Sequence, residues 1–62
     1  MNRRIKVTFY DWTDGQVREE VFGMLRAAEL FWLAARLNPR FRVLEVWDMY
    51  QGKLIDFDAR GA

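Results

Sequence analysis

The feature that most restricts the fold of this chain is a hydrophobic period that changes twice. In residues 3–12, RRIKVTFYDW, the apolar Ile5, Val7 and Phe9 alternate with Lys6, Thr8 and Tyr10, the pattern of a strand with one face in a core. Residues 26–38, RAAELFWLAARLN, are instead rich in strong helix formers. There Ala27, Leu30, Leu33, Ala34 and Leu37 fall on one stripe, with Glu29, Trp32 and Arg36 on the other side. From Phe41 the period returns to two. Asn38-Pro39 marks the stop between helix and strand, because the residue before a proline avoids the α region and Pro39 cannot continue the hydrogen-bond ladder.

Each alternating region carries its own turn signal. Asp14-Gly15 suits a two-residue type I′ turn, in which both central residues need positive φ. That turn sets Thr13 opposite Gln16 and Asp11 opposite Arg18, a favourable charge pair, and puts Phe22 and Met24 on the face of Ile5, Val7 and Phe9. Gln51-Gly52 divides VLEVWDMYQGKLIDF in the same way and sets Trp47 opposite Asp56.

The expected architecture is α+β, one domain over residues 1–62 with the order ββαββ. Strands are expected at about 3–13, 16–24, 41–50 and 53–59, with a helix at about 26–38. A right-handed crossover would place the third strand beside the first, giving an antiparallel sheet of order 2-1-3-4 with the helix on one face. A core of Ile5, Val7, Phe9, Phe22, Leu30, Leu37, Val46 and Phe57 follows. The competing arrangement is βαββ: Thr13 to Gln16 fits a capping box, and Val17, Val21, Met24, Leu25, Ala28 and Ala35 make a stripe on one long helix. Gly15 and Gly23 weigh against it, each costing roughly 1 kcal/mol relative to alanine inside a helix.

Composition narrows the function classes. With 62 residues and no cysteine, stability has to come from apolar burial, and a hydrophobic content of 52% allows that. The same content leaves more apolar surface than one small core hides. Ten basic and nine acidic residues give a net charge of +1, unlike a dedicated nucleic-acid binder. Neither histidine nor serine occurs, so the common acid–base catalyst and the usual nucleophile triads are missing, and no glycine-rich phosphate loop is present. Asp56 and Asp58 share a strand face in this reading but have no cleft. The expectation is a non-enzyme with no catalytic residue, cofactor, metal or small-molecule substrate. MNRRIKVTFYDW lacks the apolar region of a signal peptide and LFWLAARL is too short to span a bilayer, so a cytoplasmic protein without membrane contact is expected.

The aromatic residues carry the positive signal. The face away from the helix collects Tyr10, Trp12, Val17 and Val21 from the first hairpin and Trp47, Met49 and Leu54 from the second. Tyr, Trp and Met are enriched where proteins bind proteins, and a contiguous exposed patch of them marks an interface. Tyr10, Trp12, Trp47, Met49 and Leu54 are therefore the candidate protein-binding residues; Trp32, on the outer side of the helix, either folds over onto a loop or strand end or serves as a second contact point. The alternative is nucleic-acid association through Arg3, Arg4, Arg40 and Arg42, and a third reading is a homodimer that buries the patch.

A short hairpin with an acidic turn, an Ala/Leu/Glu helix ended at Asn38-Pro39, and then VLEVWDMYQGKLIDF together resemble the small phage-encoded inhibitor proteins. These include anti-CRISPR proteins and a phage inhibitor of bacterial RNA polymerase, built as a bent sheet with one helix. The resemblance extends over residues 5–58 and lies in element order and size. It implies a stoichiometric inhibitor in a bacterial host's cytoplasm that occupies the surface of a host defence or transcription complex, one that itself handles nucleic acid.

Overall fold

The computed structural model describes residues 4–60. The elements run β1 (Ile5–Asp11), β2 (Gln16–Phe22), α1 (Leu25–Leu37), β3 (Phe41–Asp48), β4 (Lys53–Leu54) and a short α2 (Phe57–Arg60). The four strands form one open antiparallel sheet in the order β2-β1-β3-β4. This is the expected ββαββ arrangement, and the long-helix alternative is excluded because residues 16–22 pair with β1 as a strand.

The fourth strand is far shorter than the expected 53–59. It ends at Leu54; Ile55 still donates its N–H to the Val46 carbonyl at 2.9 Å, and the chain then turns into α2. The other elements also stop short of the expected limits, at Asp11, Phe22, Leu37 and Asp48.

Both hairpin registers differ by two residues from the two-residue-turn pairing. Asp11 pairs with Gln16, not Arg18, and Trp47 pairs with Leu54, not Asp56. The reason is an aspartate just before each turn, in DWTDG (11–15) and DMYQG (48–52). Each aspartate folds over its own turn. Asp11 Oδ1 accepts from the Thr13 N–H (3.0 Å) and the Thr13 hydroxyl (2.6 Å), and Asp48 Oδ1 accepts from the N–H groups of Tyr50 (2.9 Å) and Gln51 (3.1 Å). The main chain closes one turn later, where Gly15 and Gly52 donate to the carbonyls of Asp11 (2.9 Å) and Asp48 (2.8 Å). These glycines sit at φ of +69° and +67°, the left-handed region that ends a four-residue hairpin loop. A shift of two preserves the alternation, so β1, β2 and the turn-proximal half of β3, from Glu45 to Asp48, keep their expected faces.

The two hairpins are linked in matching fashion. The residue after each aspartate donates across to the neighbouring hairpin, Trp12 N–H to the Arg40 carbonyl and Met49 N–H to the Arg4 carbonyl, both at 2.8 Å. A bulge in β3 shifts its register against β1 between Thr8 and Phe9. It moves Leu44 off the expected face with Val46 and leaves it exposed.

α1 packs on the sheet face formed by Ile5, Val7, Phe9 and Val46. Its contact side is the reverse of the one expected. Ala28 and Ala35 are buried, with Leu25, Phe31 and Trp32 partly buried around them, whereas Leu30, Leu33 and Leu37 are exposed at 52%, 40% and 80%. Leu30 and Leu37 therefore leave the expected core, and Phe22 joins it only at the margin. The cause lies in the sheet. Phe9 meets Phe31 and Phe41 at ring-centroid distances of 5.4 and 5.2 Å, and Phe22 meets Phe31 at 5.2 Å. Over so tall an aromatic layer the helix comes closest where its side chains are smallest, at the alanines. The helix ends as read: Asn38 donates its N–H to the Ala35 carbonyl (3.2 Å), and its side-chain oxygen accepts from the Arg40 N–H (3.0 Å).

Trp32 follows the folded-over alternative and is partly buried against the core. It faces the closing segment, 5.3 Å from the buried Phe57 ring, with the Arg36 guanidinium 4.6 Å over its own ring. Arg36 in turn donates to Asp58 at 2.5 Å.

Candidate functional site

No element among the described residues covers the sheet face away from α1. Its composition follows from the pairing register. One row across the strands reads Val21, Lys6, Trp47, Leu54; the next reads Glu19, Thr8, Glu45; the third reads Val17, Tyr10, Arg42. At about 4.8 Å between strands the first row spans roughly 14 Å. The face therefore has two apolar ends separated by an acidic middle.

Of the sequence-predicted protein-binding residues, Tyr10, Trp47 and Leu54 lie on this face. Tyr10 and Trp47 are half-buried by their neighbours, while Leu54, Val17 and Val21 are exposed. Trp12 stands in the first loop and extends the Tyr10 end, its ring edge-on to Tyr10 at 4.8 Å and 76°. Met49 is exposed in the second loop, directly after the buried Asp48. Trp32 lies on the other side of the sheet, apart from this group.

The middle row holds an element that sequence reasoning missed. Thr8 is buried, with 9% of its surface accessible, and its hydroxyl has no hydrogen-bond partner among the described residues. Its face neighbours are Lys6 and Tyr10 along the strand and Glu19 and Glu45 across it. Lys6 Nζ lies 3.5 Å from Glu19. A threonine in an alternating strand reads as an ordinary outward residue. Its burial comes from the longer side chains on all four sides, which only the three-strand register brings together.

Among the described residues, Arg4, Arg40 and Arg42 of the alternative reading do not form one surface. Arg3 lies outside the described residues. Arg4 precedes β1, while Arg42 pairs with Tyr10 near the far end of that strand, about 20 Å away at 3.3 Å per residue. Arg40 is committed to Asp11, which it meets through Nη2 at 2.9 Å and Nε at 3.1 and 3.2 Å. That pairing, with the Thr13 hydroxyl, holds the buried Asp11 carboxyl well below the usual carboxylate range and raises the Arg40 pKa. Arg18 adds a longer contact to Asp11 at 3.6 Å, so the expected Asp11–Arg18 charge pair exists in a diagonal form.

A groove of about 520 Å³ runs along β3 beyond the end of β4, between Trp32, Arg36, Val43, Leu44, Ile55 and Asp58. Among the described residues no cluster of three or more His, Cys, Asp or Glu is placed to hold a metal ion, and no helix is long and apolar enough to cross a membrane. Comparison with protein-family models, curated proteins and solved structures finds no match.

Proposed function

We propose that this chain is a non-catalytic protein–protein interaction module that binds through its outer sheet face and occludes the surface it covers. The observation that carries the reading is the pair of rows Val21, Lys6, Trp47, Leu54 and Val17, Tyr10, Arg42, on either side of Glu19, Thr8 and Glu45, on a face that no helix among the described residues covers. Two apolar clusters, one holding Trp47 and the other Tyr10, with charged residues between and beside them, have the residue types enriched at protein interfaces. Glu19 and Glu45 across the middle of the face favour a partner that presents Lys or Arg between apolar side chains. A surface of that kind suits a nucleic-acid-handling complex. The likeness in layout to small phage inhibitors supports a bacterial defence or transcription complex as the partner, and steric blockage as the mechanism.

The test combines a photo-crosslinking residue at position 54 with face variants, in lysate of the bacterial host. One discrete crosslinked species is expected, lost in Tyr10→Ala and Trp47→Ala and kept in Leu30→Ala. Once the partner is purified, Trp47→Ala should weaken affinity by ~2 kcal/mol or more, the scale of an interface anchor. Crosslinking that is absent, or indifferent to Tyr10 and Trp47, overturns the proposal.

A further inference from the structure

The outer pole of α1 is a second apolar surface, on the side of the molecule away from the sheet. Arg26, Leu30, Leu33 and Leu37 are spaced i, i+4, i+7 and i+11, opposite the buried line of Leu25, Ala28, Trp32 and Ala35. A helix covering one sheet face normally turns charged residues to solvent. Here the solvent pole carries three leucines in about two turns, and Leu37 is 80% exposed.

The pole is complementary to itself. Two copies of α1 laid antiparallel with a two-fold axis at Leu33 bring Leu33 against its own symmetry mate and Leu30 of one copy against Leu37 of the other. Glu29 and Arg36 stand seven residues apart on the same flank of the leucine line. In an antiparallel pair equal flanks meet, so the Arg26–Glu29 ion pair of each copy (3.0 Å) lies against the Arg36–Asp58 pair of the other, with opposite charges within reach across the two-fold. On the opposite flank Ala27 and Ala34 are small enough for close approach of the helix axes. A parallel pair would instead set the Glu29–Arg36 flank against the alanine flank of the other copy and leave those charges without a partner across the seam.

We infer that this chain forms a two-fold dimer through α1, with the leucine pole as its centre and the Arg26–Glu29 and Arg36–Asp58 ion pairs along its edge. A 13-residue helix is about 20 Å long, and one such face buries less than the roughly 1,200 Å² of a stable interface. The dimer is therefore weak, with a dissociation constant on the order of 0.1 mM. It leaves both outer sheet faces uncovered and directed away from each other, so a partner with repeated sites would be held bivalently.

Sedimentation equilibrium from about 10 µM to about 1 mM tests this, across the range where such an affinity is read. The wild type is expected to pass from monomer to dimer. Leu33→Glu and Leu37→Lys should remain monomeric throughout with unchanged circular dichroism, since neither leucine belongs to the core cluster; the second variant decides if the first fails to fold. Leu54→Glu, on the sheet face, should dimerise like the wild type. A wild type monomeric at 1 mM, a dimer that survives Leu37→Lys, or one lost in Leu54→Glu overturns the inference.

Discussion

Asp11 shows how one side chain sets both a turn and a long-range contact. It is fully buried, accepts from Thr13 within its own loop, and meets Arg40 from the segment between α1 and β3. Its carboxyl is held low first by the Arg40 hydrogen bonds and next by the Thr13 hydroxyl. A carboxylate whose folded pKa is depressed contributes stability that is fully present above its unfolded value, about 3.9, and is lost as the pH falls toward the folded one. Asp11→Asn should therefore melt below the wild type at pH 7, with the gap closing as the pH drops from about 5 to about 2. Thermal melts of both proteins across that range are the measurement, and a gap independent of pH would remove the ion pair from the account. The alternating pattern placed Asp11 on the inner face and near Arg18. It contained no signal for Arg40, which is 29 positions away and reaches Asp11 only after the crossover closes.

At the scale of elements, the strands were legible and the helix face was not, and the difference is physical. A strand has two faces, so one alternating run fixes which residues go in; even a two-residue error in the loop leaves that assignment intact. A helix has a continuum of faces. Leu30, Leu33 and Leu37 make the more hydrophobic stripe, yet the helix seats Ala28 and Ala35 because Phe9, Phe22 and Phe41 already fill the space beneath it. Hydrophobicity of the stripe alone cannot report the height of the opposing layer. A pair of variants separates the two stripes. Phe31→Ala, which removes a ring lying 5.4 Å from Phe9 and 5.2 Å from Phe22, should destabilise by about 3 kcal/mol. Leu30→Ala on the outer pole should stay within about 0.5 kcal/mol. Urea unfolding at a concentration low enough to keep the protein monomeric reads both, and equal losses would return the leucine stripe to the core.

The whole molecule is two similar hairpins joined edge to edge, with a helix closing one side. The first hairpin has two strands of seven residues; the second has a strand of eight and one of two. The residues that would have extended β4 turn under the helix instead. There Phe57 is buried against Trp32, and Asp58 is tied to Arg36 above it. The shortened strand thus gives up ladder hydrogen bonds along β3, and the aromatic contact at Phe57 compensates by closing the core beneath Ile55 and Val46. If that exchange holds the molecule together, the ring matters far more than the exposed ion pair beside it. Phe57→Ala should cost about 3 kcal/mol, most of the stability of a domain this small. Asp58→Asn should cost under about 1 kcal/mol, since both partners remain in contact with water. Urea midpoints for the two variants decide the point. A Phe57→Ala protein that unfolds with the wild type would mean that β1, β2, β3 and α1 hold the core without the closing segment, and that the short β4 has a cause outside packing.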